Sequence, residues 1–184
     1  IGNDIFSPFD PLYHADLPQR EQDIAKAKEL LAEAGFPDGV DVELTAAPIQ
    51  PTAVRQNQVM VEQVADAGFR VNFNEVDAAT YYGESYGTYP LSLSFWGQLG
   101  IFDQAAFTIV NDAPYNATKW QDDEYNALYE EAVRTVDDAK RAELVHQMQQ
   151  IEYERGPYVV PLFVNNLSAY DTKVTGYQPY PNND

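Results

Sequence analysis

Residues 40–76 constrain the fold of this chain more than any other stretch. Val40, Val42 and Leu44 alternate with Asp41, Glu43 and Thr45, the period of a half-buried strand. A helical pattern follows over 52–67, with Val54, Val61, Val64 and Ala65 on one stripe and Ala53 and Met60 beside it. Phe69, Val71, Phe73 and Val76 then mark a second strand, the last step breaking strict alternation. Two strands joined by so long a connection do not form a hairpin. The spacing predicts a parallel pair with a crossover helix. A third strand is expected from 89, with Leu91, Leu93 and Phe95 on one face and Ser92, Ser94 and Trp96 on the other. The fold class expected is α/β, a mixed, largely parallel sheet flanked by helices.

The remaining segments follow from local signals. Ile24, Ala27, Leu30, Leu31 and Ala34 make a helix of 22–34, with Asp23 suited to its start. Gly35 ends it as a left-handed residue, Phe36 folds back and Pro37 forbids continuation; Ala67-Gly68-Phe69 repeats that exit. Asp77 is expected to cap a short helix carrying Tyr81, Tyr82 and Tyr86. Residues 104–110 are apolar on one side through Ala106, Phe107 and Val110, and 111–116 read as a loop. Two long helices, 122–136 and 138–155, form a hairpin expected to pack on the sheet. The apolar run 158–164 reads as a buried strand, with Pro161 at an edge or bend. Residues 1–19, rich in proline and aromatics, read as an extended connector lying on a surface. The expected organisation is therefore a connector over 1–19, a lobe over 20–175 and an irregular tail over 176–184.

A net charge of -18 argues against nucleic acid or an anionic membrane surface as partner, and suits a salty or cationic medium. With no cysteine, disulfide and thiolate–metal chemistry are excluded. No apolar run is long enough to span a membrane. The chain opens at Ile1 without a Met, which reads as a fragment or a processed chain. The two histidines, His14 and His146, have no partner at metal-binding spacing. There is no glycine-rich phosphate loop, no Gly-x-Ser-x-Gly and no His-Glu-x-x-His. The many carboxylates leave an acidic hydrolase with a carboxylate pair open. Asp122, Asp123 and Glu124, however, open a helix, where the dipole favours acids. Thirteen tyrosines suit a recognition surface better than a reaction site; packed rings with bonded tips are the plainer reading. Asn116-Ala117-Thr118 matches a glycosylation acceptor, a triplet that often arises by chance.

The candidate site is the end of the third strand. Phe95 and Trp96 are its aromatic members, and Trp96 sits where open α/β sheets place their ligand crevices. Gly97, Gln98 and Gly100 would offer backbone groups and close approach. A short helix is expected to restart near Asp103, which either caps it or binds a positive group. The competing reading makes Trp96 a cap on the core.

The order of these segments resembles family 5 extracellular solute-binding proteins, the peptide, dipeptide and nickel receptors of ABC importers. The resemblance rests on Asp23-Ile24-Ala25-Lys26-Ala27-Lys28-Glu29-Leu30-Leu31-Ala32-Glu33-Ala34-Gly35-Phe36 with the strand after it. It continues through Trp96, through Trp120-Gln121-Asp122-Asp123-Glu124-Tyr125 and the hairpin, to Val159-Val160-Pro161-Leu162-Phe163. It implies a lobe of the type II periplasmic-binding-protein kind, whose missing N-terminal lobe supplies the other wall of a cleft. A peptide or similar small solute would be captured there and delivered to an ABC permease in the membrane. The expected place is extracytoplasmic, with a lipid anchor through a missing N-terminus. No catalytic residue, cofactor, metal or nucleic acid is implied. In the family's peptide receptors a Trp like Trp96 is followed three residues later by an Asp that holds the peptide amine. Here that position is Leu99 and the nearest acid is Asp103. The departure points to a modified peptide, a less cationic solute or an amine held elsewhere. A carboxylate-pair hydrolase and a plain protein-interaction module are the alternatives.

Overall fold

The computed structural model describes residues 1–164, 167 and 169–178. The chain divides into two units. Glu21–Phe95 form one; Ile1–Arg20 and the residues from Trp96 onward form the other.

The first unit carries the sheet. Its elements are α1 (Ile24–Glu33), β1 (Val40–Ala46), α2 (Ala53–Ala65), β2 (Phe69–Glu75), α3 (Ala78–Tyr81) and β3 (Leu91–Ser92). The strand order is β2-β1-β3, and every pairing among the described residues is parallel. β1 and β2 run in register from Val40 opposite Phe69 to Ala46 opposite Glu75, as the crossover spacing predicts. Local chemistry sets the helix ends. The Asp23 carboxylate accepts from Lys26 N at 2.8 Å, and the Asp77 carboxylate accepts from Ala79 N and Thr80 N. At the exit of α1, Gly35 N donates to Ala32 O and Phe36 N to Leu31 O, satisfying two orphan carbonyls. Gly35 has φ 93° and Gly68 φ 101°, the left-handed conformation expected of both. The end of β1 is buried from Leu44 to Ala46, and β3 joins its free edge there, at Leu44 and Thr45.

The third strand is shorter than its alternation suggests. Leu93 N still donates to Thr45 O at 3.4 Å. The Leu93 carbonyl, however, accepts from the Tyr81 hydroxyl, and the Leu93 side chain is buried with Ala46 and Ala53. With that carbonyl taken by a side chain the ladder stops at Ser92. Phe95 therefore does not extend the Leu91–Leu93 face and is exposed.

The second unit is helical: α4 (Ile101–Thr108), α5 (Asp123–Arg134) and α6 (Asp138–Arg155). Asp122 starts α5 by accepting from Tyr125 N at 2.9 Å, and Asp137 turns the hairpin by accepting from Lys140 N at 2.8 Å. The hairpin was expected on the sheet. Its stripe is instead covered within its own unit, where Tyr125, Ala132, Leu144, Val145, Met148 and Ile151 pack with Ile101 and Ala105 of α4, with Ile109 just after it and with Phe6. Residues 1–20 thus do more than lie on a surface: Asn3, Asp4 and Phe6 are buried. The strand expected at 158–164 does not form. Pro157 and Pro161 have no N–H to give, and Val160 O accepts from Gly2 N at 2.7 Å. Residues 161–164 are exposed. Of the expected tail, residues 176–178 lie in no helix or strand, and 179–184 lie outside the described residues. Among the described residues no helix is long and apolar enough to cross a membrane.

Candidate functional site

The site residues lie where the chain runs from β3 to α4. Residues 93–100 form neither helix nor strand. α4 starts at Ile101 behind Gly100, which has no side chain to cap it. A carboxylate from far away does so. Asp10 Oδ2 accepts from Ile101 N at 3.2 Å, and Asp10 Oδ1 accepts from Leu12 N at 2.9 Å. The expectation that Asp103 caps this helix is therefore corrected. Asp103 is the third residue of α4, exposed, in the first turn, where a negative charge suits the helix dipole.

Trp96 is 39% exposed, which sets aside its reading as a core cap. Its ring lies nearly parallel to that of Phe107, with centroids 6.4 Å apart, and meets Tyr115 edge-on at 5.5 Å. Phe107 and Tyr115 are themselves 6.2 Å apart and are 41% and 49% exposed. Tyr115 N donates to Phe107 O at 2.9 Å, pinning the 111–116 loop to the end of α4. Three rings thus make one open aromatic face on the helical unit. Asp103 precedes Phe107 by four residues and shares its side of α4. Gly97, Gln98 and Gly100 are exposed along the run between Trp96 and α4, and Leu99 is half-buried. Phe95 is an exposed residue of the sheet unit.

Phe107 and Tyr115 were missed by the sequence reading, which set Phe107 on an apolar side with Ala106 and Val110. The buried row of α4 is Ile101, Gln104, Ala105 and Thr108, and Phe107 falls outside it. Phasing the helix on Ile101 rather than on its aromatic would have turned Phe107 outward. Nothing local marks Tyr115.

The remaining chemistry is structural. Asp122 accepts from Arg155 Nε at 2.7 Å while capping α5, and Glu124 pairs with the same guanidinium at 2.7 Å. Arg155 holds the Asp122 carboxyl below its ordinary value. One pair of carboxylates is buried, Asp4 at 3% and Glu152 at 6% exposure. Burial raises Asp4 to about 6 and Glu152 to about 8. A pair so enclosed is not open to a substrate. The Asn116 side chain donates to Trp120 O at 2.8 Å and accepts from Thr118 Oγ1 at 2.7 Å, so the would-be acceptor triplet builds a turn. Among the described residues no group of three or more His, Asp or Glu is placed to hold a metal ion.

The model of bacterial extracellular solute-binding proteins, family 5, middle region, matches residues 1–119 of the chain. This chain belongs to that family. Among its family 5 relatives, di/tripeptide-binding protein 1 of Pseudomonas aeruginosa is 31% identical over 154 residues, covering 79% of this chain and 29% of the relative. Heme-binding protein A of Haemophilus influenzae is 25% identical over 178 residues, covering 92% of this chain and 32% of the relative. A dipeptide-binding protein from Pseudoalteromonas sp. SM9913, solved in complex with Met-Leu, superposes with a TM-score of 0.73 at 22% identity, over 85% of this chain and 33% of that one. The chain therefore spans about a third of the length of the relatives it matches. The shared fold agrees with the expected α/β lobe of periplasmic-binding-protein kind, a parallel sheet flanked by helices.

Proposed function

We propose that this chain is part of an extracytoplasmic receptor that captures a peptide or similar small solute and delivers it to an ABC permease. The observation that carries the reading is the open aromatic face of Trp96, Phe107 and Tyr115, with Asp103 on the same side. Exposed rings of this size suit the apolar parts of a ligand, and Gly97, Gln98 and Gly100 offer backbone groups beside them. The names of relatives add support, since one takes di- and tripeptides and another was solved with a dipeptide. The reading includes no covalent chemistry, cofactor or metal. It adds an N-terminal lobe as the second wall of the cleft and a lipid anchor beyond Ile1. Leu99 in place of an amine-holding acid directs the site toward solutes without a free α-amine.

Calorimetry on the two-lobe receptor tests the reading, with Met-Leu and N-acetyl-Met-Leu as probes. Trp96→Ala is expected to weaken binding tenfold or more, and Leu99→Asp to favour the free amine over the acetylated form. The 184-residue chain alone should bind a thousandfold more weakly than the two-lobe receptor, about 4 kcal/mol. Unchanged binding by Trp96→Ala would place the site elsewhere.

A further inference from the structure

Residues 1–20 run along one face of α6. Ile5 N donates to Glu152 Oε2 at 3.4 Å. His14 N donates to Gln149 Oε1 at 2.8 Å, and Gln149 Nε2 donates back to Leu12 O at 2.9 Å. The His14 ring stacks on His146, with centroids 4.2 Å apart and planes 4° from parallel. The Arg20 guanidinium lies 4.2 Å over the Tyr153 ring. Between these contacts sits Asp10, whose carboxylate holds the first N–H of α4. The segment is a strap, and its far side steadies the helix that follows the Trp96 loop.

Two pairs of titratable groups lie under the strap. Asp4 Oδ1 accepts from Phe6 N at 2.8 Å, while buried Oδ2 has no hydrogen-bond partner among the described residues. Glu152 accepts from the Tyr125 hydroxyl at 2.8 Å and from Ile5 N. The other titratable groups facing this pair are Tyr125 of α5, with Tyr129 beyond it, and Tyr13 of the strap. None of these supplies a positive charge. The histidine pair is faced by Asp16 from the strap and by Glu143 one turn earlier on α6.

We propose that residues 1–20 act as a proton-gated strap: Asp4 and Glu152, buried together where the strap meets α6, hold it while protonated and release it as they ionise, and so set how firmly the strap holds the Trp96 loop. The acid pair grips when protonated. Its two carboxyls share one apolar site, so full ionisation buries two like charges. Both values are raised, so this grip is complete in acid and is lost as pH rises through about 6 for Asp4 and about 8 for Glu152, above which no further loss follows. The strap is therefore tightest in acid and loosens as pH rises toward about 8. When it lifts, Asp10 leaves the start of α4 and the 96–100 loop loses its anchor. That this loosens ligand rests on the reading of Trp96 as a binding residue; the strap itself does not.

Hydrogen exchange of the Ile5, Phe6 and His14 amides in the 184-residue chain, corrected for intrinsic rates from pH 5 to 9, tests the proposal. Protection should fall as pH rises from 5 to about 8 and level off above it. Glu152→Gln should remove the part of that fall between about 6 and 8. If Glu152→Gln does not fold, Asp4→Asn serves the same purpose. In a Trp120→Phe background, acrylamide quenching of Trp96 should rise wherever strap protection falls. Flat protection across this range, or a fall that survives both acid-pair substitutions, would overturn the strap. Titrating protection with unchanged Trp96 quenching would overturn its hold on the loop.

Discussion

The sheet unit is held by contacts between neighbours in sequence, and the helical unit by contacts between distant residues. In the sheet unit each cap is made within three residues, Asp23 to Lys26 and Asp77 to Thr80, and each strand pairs beside the helix that connects it. Its buried cluster is small, centred on Ala46, Ala53 and Leu93. In the helical unit Phe6 packs in one core with Met148 and Ile151, and Gln149 and Glu152 are buried because they bond the strap. The difference teaches where each unit is vulnerable. The first depends on backbone geometry at its turns. The second depends on a few side chains that meet across most of the chain.

The largest expected effect is at Phe6, which is 1% exposed. Phe6→Ala should cost about 3–5 kcal/mol by leaving a cavity in the helical core. Hydrogen exchange should show α6 amides deprotected and β1 amides unchanged; equal loss in both would break the contrast. Next comes Gly39, with φ 89° and space such that a Cβ would sit 2.3 Å from the Gly68 carbonyl oxygen. Gly39→Ala should cost more than 2 kcal/mol, adding a backbone clash to roughly 1–2 kcal/mol of left-handed strain. Gly35→Ala meets nothing within 4 Å and should cost only the strain, roughly 1 kcal/mol. Urea midpoints of the two variants would sharpen the point, and equal shifts would refute the clash. Asp122→Ala removes the α5 cap and one partner of Arg155, and should cost about 1 kcal/mol in thermal melts. Smallest is Arg70→Ala. The pair Arg70–Asp41 is bidentate across β1 and β2 but fully open to water, so no change in melting temperature is expected.

The same contrast explains what was legible in the sequence. α1, β1, α2 and β2 follow from period and from Gly35 and Gly68, because those signals act within a few residues. β3 did not, since its end is decided by the Tyr81 hydroxyl on the Leu93 carbonyl. Trp96 was singled out as a candidate because an aromatic after a strand is a local pattern. Of the two readings of Asp103, the cap fails because the group that caps α4, Asp10, lies 91 residues away. The strap looked like a connector because proline and aromatics without period say nothing about Gln149 or Glu152.

The strap has a consequence for biosynthesis. Its bonds to Gln149 and Glu152 span 135 to 147 residues of chain. A ribosome adding about 5–20 residues per second needs roughly 7–30 s to deliver those partners. The whole sheet unit emerges in that interval, so it can order while the strap waits. During this wait Phe6 and its neighbours are bare, making the first twenty residues the stretch a holding chaperone would meet, although they are closed away once α6 arrives.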